Sequence, residues 1–199
     1  MPISTINQNG LNAPLSLTAP NLGTPSAINL TNATGLSRAA LPTGSVLQVV
    51  STTKTDTFTT TSTTDVEITG LSATITPTSS TSKIVVLVNI GASGTTTGDY
   101  ALFLSLYRSA SLITGSVGAS PSSRKACTSA SRNSSSGRFQ SSSIMYYDSP
   151  ASTSSLTYAC YISMESGGGS ACINRSASDG DQASSPRTVS TITLMEISA

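Results

Sequence analysis

The chemistry open to this sequence is limited by the absence of histidine from its 199 residues. A Ser-His-Asp or Cys-His catalytic arrangement and the common zinc sites therefore cannot be built. The three cysteines, Cys127, Cys160 and Cys172, show no Cys-x-x-Cys spacing, and their odd number argues against a complete disulfide framework. Cys160 lies in an apolar strand pattern and is predicted to be a small buried hydrophobic residue. A Cys127–Cys172 bridge is left open.

The acidic residues supply two further candidate groups, and neither matches a catalytic or ligand pattern. Asp179-Gly180-Asp181 resembles a fragment of a calcium loop, but the alternating oxygen ligands and the distal glutamate are missing, so a solvated turn is predicted. Asp148 and Glu196 could act as the two carboxylates of a glycoside hydrolase, although nothing in their spacing indicates it. We therefore expect a protein that is not an enzyme and has no metal or cofactor.

Four of the ten basic residues lie in one serine-rich stretch, and they form the one candidate recognition site: Arg124, Lys125, Arg132 and Arg138. Arginine suits the carboxylate and phosphate groups of bacterial surface glycans, so a host surface glycan is a candidate partner. The alternative is a solvated loop that balances charge. The formal net charge of +1 argues against nucleic acid as a partner.

The strand patterns that must position these side chains are centred on residues 83–90, the densest apolar run in a chain dominated by serine and threonine. The run is mostly β-branched and too short for a helix core, so a strand is predicted. Both of its faces are apolar, with Ile84, Val86, Val88 and Ile90 on one side and Val85 and Leu87 on the other. Similar two-sided patterns occur near residues 101–107, 156–164 and 189–197.

Together these patterns predict an all-β protein, a jelly-roll β-sandwich of about eight to ten short strands with no convincing helix. A strand that is apolar on both faces needs cover on both faces. The second sheet of the sandwich supplies one cover, and we expect another subunit to supply the other. A homotrimer is the simplest closed ring, with Val85, Leu87 and Tyr161 as candidate interface residues.

Residues 1–43 differ from the rest of the chain and are predicted to form an extended N-terminal arm, followed by a head domain at residues 44–199. No charged residue precedes Arg38, and five of the nine prolines lie in this segment. Such a segment cannot bury a core of its own, so it is either a flexible linker or an arm that becomes ordered on a partner. The arm is favoured by its apolar residues, which include Leu15, Leu17, Leu22, Ile28 and Leu30.

No signal peptide and no membrane-spanning run is visible, which predicts no membrane insertion.

Several segments resemble a small domain found in virion proteins of tailed phages, including phages that infect cyanobacteria and marine bacteria. The resemblance spans residues 42–199 and is carried by Leu41-Pro42-Thr43-Gly44-Ser45-Val46, Ile68-Thr69-Gly70-Leu71, Tyr147-Asp148-Ser149-Pro150 and Thr191-Ile192-Thr193-Leu194. The arm, with Leu17-Thr18-Ala19-Pro20, is similar to the leader that such proteins carry. These motifs are structural, and the resemblance implies no catalytic residues.

The resemblance implies a trimeric jelly roll, similar in shape to the globular heads of the tumour-necrosis-factor and complement families. It implies a non-enzymatic structural protein on the virion surface that contacts other virion proteins of the capsid or the tail. Capsid decoration is preferred, because arm and head leave no residues for a shaft. The alternatives are a short tail fibre with a receptor-binding head and a carbohydrate-binding module. The shortage of aromatic residues, 5% with no tryptophan, counts against the module.

Overall fold

The computed structural model describes residues 41–97, 99–120, 122–132, 138–166 and 168–199. These residues form eleven β-strands and one 3-10 turn at Thr114–Ser116, and none of them lies in an α-helix. Accordingly, no helix in these ranges is long and apolar enough to cross a membrane. The strands are β1 (Val46–Lys54), β2 (Phe58–Thr60), β3 (Val66–Ile75), β4 (Lys83–Thr95), β5 (Ala101–Arg108), β6 (Ser111–Leu112), β7 (Ser129–Arg132), β8 (Gln140–Asp148), β9 (Leu156–Met164), β10 (Ala171–Ile173) and β11 (Ser190–Ile197).

The strands form two antiparallel sheets, which we call sheet A and sheet B. Sheet A has six strands in the order β1-β11-β4-β10-β2, with β8 also pairing with β4. Sheet B has five strands in the order β3-β9-β5-β6, with β7 also pairing with β5. The long strand β4 pairs with β8 along one edge, and along the other edge it pairs first with β11 and then, at its end, with β10. The predicted all-β sandwich is confirmed, and its jelly-roll topology stays a prediction.

The hydrophobic core lies between the two sheets and is built from alternate residues of the strands. On β4, Ile84, Val86 and Ile90 are fully buried, as the sequence pattern predicts. Residues from β5 and β9 of sheet B belong to the same hydrophobic cluster, among them Leu102, Leu104, Leu106, Cys160 and Ile162. Each Å² of apolar surface that is removed from water contributes about 25 cal/mol to stability, so this cluster is the main stabilising element of residues 44–199.

Cys160 has 0% exposure and packs in this core, which confirms its prediction as a small buried hydrophobic residue. All three cysteines are free thiols. Cys127 and Cys172 are therefore not bridged. Cys172 is buried at the end of sheet A in β10, whereas Cys127 belongs to the loop that precedes β7 on sheet B.

The positions of strands differ from those predicted from the sequence at two places. The pattern around Gly70 predicts that one strand ends and another begins, but the structure has a single strand, β3, with a register shift between Glu67 and Ser72. Gly70 has a φ of 83°, a left-handed conformation that glycine adopts without steric cost, so the chain bulges instead of turning. Residues 109–143 are predicted to be mostly loop, yet they contain β7, which pairs with β5.

The predicted arm residues Leu15, Leu17, Leu22, Ile28 and Leu30 lie outside the described residues. The arm at residues 1–43 and its anchoring role therefore stay predictions.

Candidate functional site

The face of sheet A that points away from the core is the candidate site, and the strand register assigns its residues. Cross-strand neighbours form three rows across β1, β11, β4 and β8. The rows are Val49–Met195–Val85–Tyr147, then Ser51–Thr193–Leu87–Met145, then Thr53–Thr191–Asn89–Ser143. We call these twelve residues the outer face of sheet A.

This outer face is uncharged, and half of its residues are large and apolar or aromatic. Met145 is 77% exposed, and Val49 and Tyr147 are each 55% exposed. A shallow depression of about 370 Å³ lies on the face, with Leu87, Met145 and Thr193 among its lining residues. A contiguous exposed apolar surface of this kind is typical of a contact with another protein surface.

The three predicted trimer-interface residues do not lie together. Val85 and Leu87 lie on the outer face of sheet A, between β11 and β8. Tyr161 belongs to sheet B, where its ring stacks on Tyr107 with the ring centroids 3.8 Å apart. The structure therefore places two of the three residues in one surface and the third on the other sheet.

Lys125, from the predicted recognition loop, is held by a carboxylate of its own domain. Its Nζ donates to Oδ1 of Asp65 at 2.7 Å, and Asp65 also accepts hydrogen bonds from Ser163 and Tyr107. Burial raises the pKa of Asp65, but these hydrogen bonds outweigh it, so the pKa lies below its ordinary value. The cluster fastens the loop over sheet B, and Lys125 would have to leave it to bind an acidic ligand.

Arg132, at the end of β7, is also paired within the domain. It forms ion pairs with Asp99 at 3.3 Å and with Glu165. Arg124 and Arg138 are exposed in the same stretch. Lys125 and Arg132 thus engage separate carboxylates, and the recognition role of the four basic residues stays a prediction.

The two carboxylates considered as a catalytic pair lie in one row on the core side of sheet A, with Ile84 of β4 between them. Two strand spacings separate Asp148 from Glu196, about 10 Å. Asp148 is 4% exposed and accepts hydrogen bonds from Tyr158, at 2.6 Å, and from Arg108. Each carboxylate is enclosed and engaged by neighbouring side chains, so the arrangement joins the elements of the fold and offers no open carboxylate to a substrate.

Glu196 is the most enclosed carboxylate of this row and has no cationic partner among the contacts that the structure shows. Its Oε1 accepts from the amide and the hydroxyl of Thr78, at 2.6 and 2.7 Å, and its Oε2 accepts from Gln48 at 2.6 Å. Burial raises the pKa of Glu196, but the hydrogen bonds from Thr78 and Gln48 outweigh it, so the pKa lies below 4.5. Glu196 thereby ties β1, β11 and the turn before β4 together.

We expect Glu196→Gln to lower the free energy of unfolding by about 2–3 kcal/mol at neutral pH, because the amide nitrogen meets donors that need an acceptor. A depressed folded-state pKa adds stability that is complete above pH 4.5, the ordinary value, and is lost as the pH falls through the folded-state value. The difference between wild type and variant should therefore shrink on acidification. Urea unfolding over a pH series measures it.

The matched control is Glu67→Gln, at an exposed position of β3. It should change stability by less than about 0.5 kcal/mol. An equal loss in both variants, or a difference for Glu196→Gln that does not depend on pH, would contradict the assigned role of the Glu196 hydrogen bonds.

Sequence reasoning missed the exposed partners of Val85 and Leu87 on the outer face, namely Val49, Met145 and Tyr147. The signal was present in residues 144–147, where apolar residues occupy both faces of a predicted strand. The pairing of this strand with β4 was needed to show which of them lie outward. Among the described residues, no group of three or more cysteine and acidic side chains is placed to hold a metal ion.

Comparisons with known proteins do not assign the chain to a protein family. No protein-family model matches the chain, and no curated protein matches it either. The resemblance to virion proteins of tailed phages therefore rests on the sequence motifs alone.

Proposed function

We propose that this chain is a non-enzymatic structural protein of a tailed-phage particle, a homotrimeric capsid decoration anchored by its N-terminal arm. The single observation that carries the proposal is the outer face of sheet A, whose twelve residues are uncharged and half of which are large and apolar or aromatic. The role on the particle rests in addition on the resemblance of residues 42–199 to phage virion domains.

The outer face supports association with further copies of the chain. It spans about 19 Å across four strands and about 20 Å along them, which is the central part of an interface of roughly 800 Å² per partner. No charge on the face has to lose its water when the face is covered, so burial of Val85, Leu87 and Met145 is not opposed by charge desolvation. Interface cores are depleted in charged residues in the same way.

The strand order supports the head type that the resemblance implies. Successive long strands alternate between the sheets, because β1, β4, β8 and β11 belong to sheet A and β3, β5 and β9 to sheet B. This alternation is what a jelly roll produces. A ring of three copies around an axis, each turning its sheet A inward, closes without leaving an apolar face exposed.

The oligomeric state is tested with the full-length chain by light scattering coupled to size-exclusion chromatography. The expected mass is three times the chain mass of 20.1 kDa. A monomer at micromolar concentration would overturn the trimer.

Position on the particle is tested by electron microscopy of virions labelled with gold-conjugated antibody against the head domain. Gold distributed over the shell is the expected result. Gold confined to the tail would replace capsid decoration by a tail-fibre role. Virions without any label would overturn the structural role itself.

A further inference from the structure

Two tyrosine rings are stacked on the face of sheet B that points away from the core. Tyr107 of β5 and Tyr161 of β9 each stand next to a fully buried residue, Leu106 and Ile162, so their own side chains point outward. The antiparallel register of β5 and β9 makes the two tyrosines diagonal neighbours on this face. Both side chains are half-buried, so a small reagent can reach the pair from solvent.

The stack is closer than the usual contact between aromatic side chains. The ring centroids of Tyr107 and Tyr161 are 3.8 Å apart and the ring planes are inclined by 18°. Aromatic pairs prefer offset or edge-to-face arrangements with centroids about 4.5–7 Å apart. At the shorter separation the carbon atoms of the two rings are in van der Waals contact, so a bond between the rings requires only a small movement.

The hydroxyl groups of both rings lie beside carboxylates of one short segment. Tyr107 donates a hydrogen bond to Oδ2 of Asp65 at 3.0 Å, and Tyr161 is the cross-strand neighbour of Glu67. Burial and Asp65 raise the pKa of Tyr107 to about 12, and burial and Glu67 raise the pKa of Tyr161. Both phenols therefore keep their protons at neutral pH. Because Asp65 and Glu67 lie two positions apart, the hydroxyl ends of both rings point towards the start of β3.

We propose that Tyr107 and Tyr161 form an oxidative cross-linking site, at which a one-electron oxidant joins the two rings into an intrachain dityrosine. The oxidant removes one electron from each ring, and each hydroxyl proton passes to the neighbouring carboxylate, that of Asp65 or of Glu67. The two radicals form a bond between the carbon atoms next to the hydroxyls, and the hydrogen atoms on those carbons move to the oxygens. Two electrons and two protons leave in all. With a peroxidase and hydrogen peroxide as the oxidant, they reduce one peroxide molecule to two water molecules.

The cross-link fastens β5 to β9, the two central strands of sheet B. All three cysteines are free thiols, so no disulfide provides such a covalent link. A link between residues far apart in the chain restricts the unfolded state, as a disulfide does, and should raise the midpoint of thermal unfolding by about 5 °C or more. The inference does not depend on the trimer or on the position of the protein on a particle.

The test is photochemical oxidation of the full-length chain with ruthenium trisbipyridine and persulfate, which together generate a small one-electron oxidant. The wild type should gain dityrosine fluorescence, lose the mass of two hydrogen atoms and still migrate as a single chain in a denaturing gel. Peptide mapping should find the peptides of Tyr107 and Tyr161 joined. Oxidation at the exposed Met145 or at the Cys127 thiol adds oxygen, so the mass distinguishes it from the cross-link.

Tyr107→Phe and Tyr161→Phe each keep a stacked ring but remove one phenol, so each should abolish the intrachain product. Circular dichroism shows that the variants are folded. The matched control is Tyr147→Phe, which removes a tyrosine that is 55% exposed on sheet A and should leave the intrachain product unchanged. An intrachain product that persists in Tyr107→Phe would overturn the proposal, as would a wild type that forms only interchain cross-links or none. A cross-linked chain that unfolds at the midpoint of the untreated chain would overturn the stabilising role.

Discussion

Replacing Leu87 by glutamate is expected to convert the proposed trimer into a folded monomer. Leu87 lies in the middle row of the outer face of sheet A, next to Thr193 of β11 and Met145 of β8. The change removes about 1.5–3 kcal/mol of apolar burial per subunit. It also places an unpaired charge in each buried interface, which costs several kcal/mol more. The association should weaken more than about 100-fold.

The monomer should remain folded because Leu87 is not part of the hydrophobic core. Sedimentation of the full-length chain measures the loss of the trimer, and thermal unfolding checks the fold. The matched control is Thr157→Glu, which puts the same charge at an exposed position of β9 in sheet B. A trimer that survives Leu87→Glu would exclude the outer face of sheet A as the interface.

The same measurement decides the role of Tyr161, the third predicted interface residue. Tyr161→Ala removes the ring that stacks on Tyr107. If the neighbouring subunits contact only sheet A, this variant stays trimeric. Dissociation of Tyr161→Ala would show that sheet B contributes the opposite side of each contact.

The largest loss of stability from a single substitution is expected for Asn174→Ala. Asn174 has 0% exposure and a φ of 63° just after β10. Its amide nitrogen donates to the carbonyl oxygens of Lys54, at 2.9 Å, and of Asp56, at 3.0 Å. Its amide oxygen accepts from the Ser190 hydroxyl at 2.6 Å. One side chain thus joins the end of β1, the end of β10 and the start of β11.

Alanine leaves two buried groups, the Lys54 carbonyl oxygen and the Ser190 hydroxyl, without this partner, each costing about 1–3 kcal/mol, and it also removes the part-buried hydrogen bond to Asp56. It must also adopt a left-handed conformation that costs about 1 kcal/mol more than it costs asparagine. We expect the free energy of unfolding to fall by about 4 kcal/mol or more, measured by urea denaturation at neutral pH.

Two further variants separate the causes of that loss. Asn174→Gly keeps the left-handed backbone without strain, so it should be more stable than Asn174→Ala by about 1 kcal/mol. Asn174→Asp cannot donate to the two carbonyl oxygens and should be at least as destabilised as Asn174→Ala. Equal stability of the alanine variant and wild type would contradict the structural role of this residue.

The strands and the core could be predicted because their signals are local. In β4 and β9, apolar residues at every second position identify the buried face without knowledge of any partner strand. Cys160 was placed correctly for this reason. The bulge at Gly70 was missed because a glycine between two alternating runs predicts a turn just as well. Strand β7 was missed because its sequence, Ser129 to Arg132, has almost no apolar residue and forms only by pairing with β5.

The candidate sites depend on contacts between residues that are far apart in the chain. The sequence shows that Val85 and Leu87 form a second apolar face, but Met145 and Val49 join it only through the pairing of β8 and β1 with their neighbours. Lys125 was a candidate for a free recognition residue until Asp65, 60 positions away, was found to hold it. No local signal indicates that Asn174 holds three strand ends together.

The sequence by itself determined that the protein is all-β, that its strands bury one apolar face in a sandwich, and that at least one strand carries a second apolar face. Only the tertiary structure decided which residues share that second face, that Tyr161 lies on the other sheet, and that its ring stacks there on Tyr107. The physical reason is the distance along the chain over which each feature is set. Alternation along a strand is set by the backbone of neighbouring residues, whereas register, sheet assignment and ion pairing are set by contacts that the folded chain alone brings together.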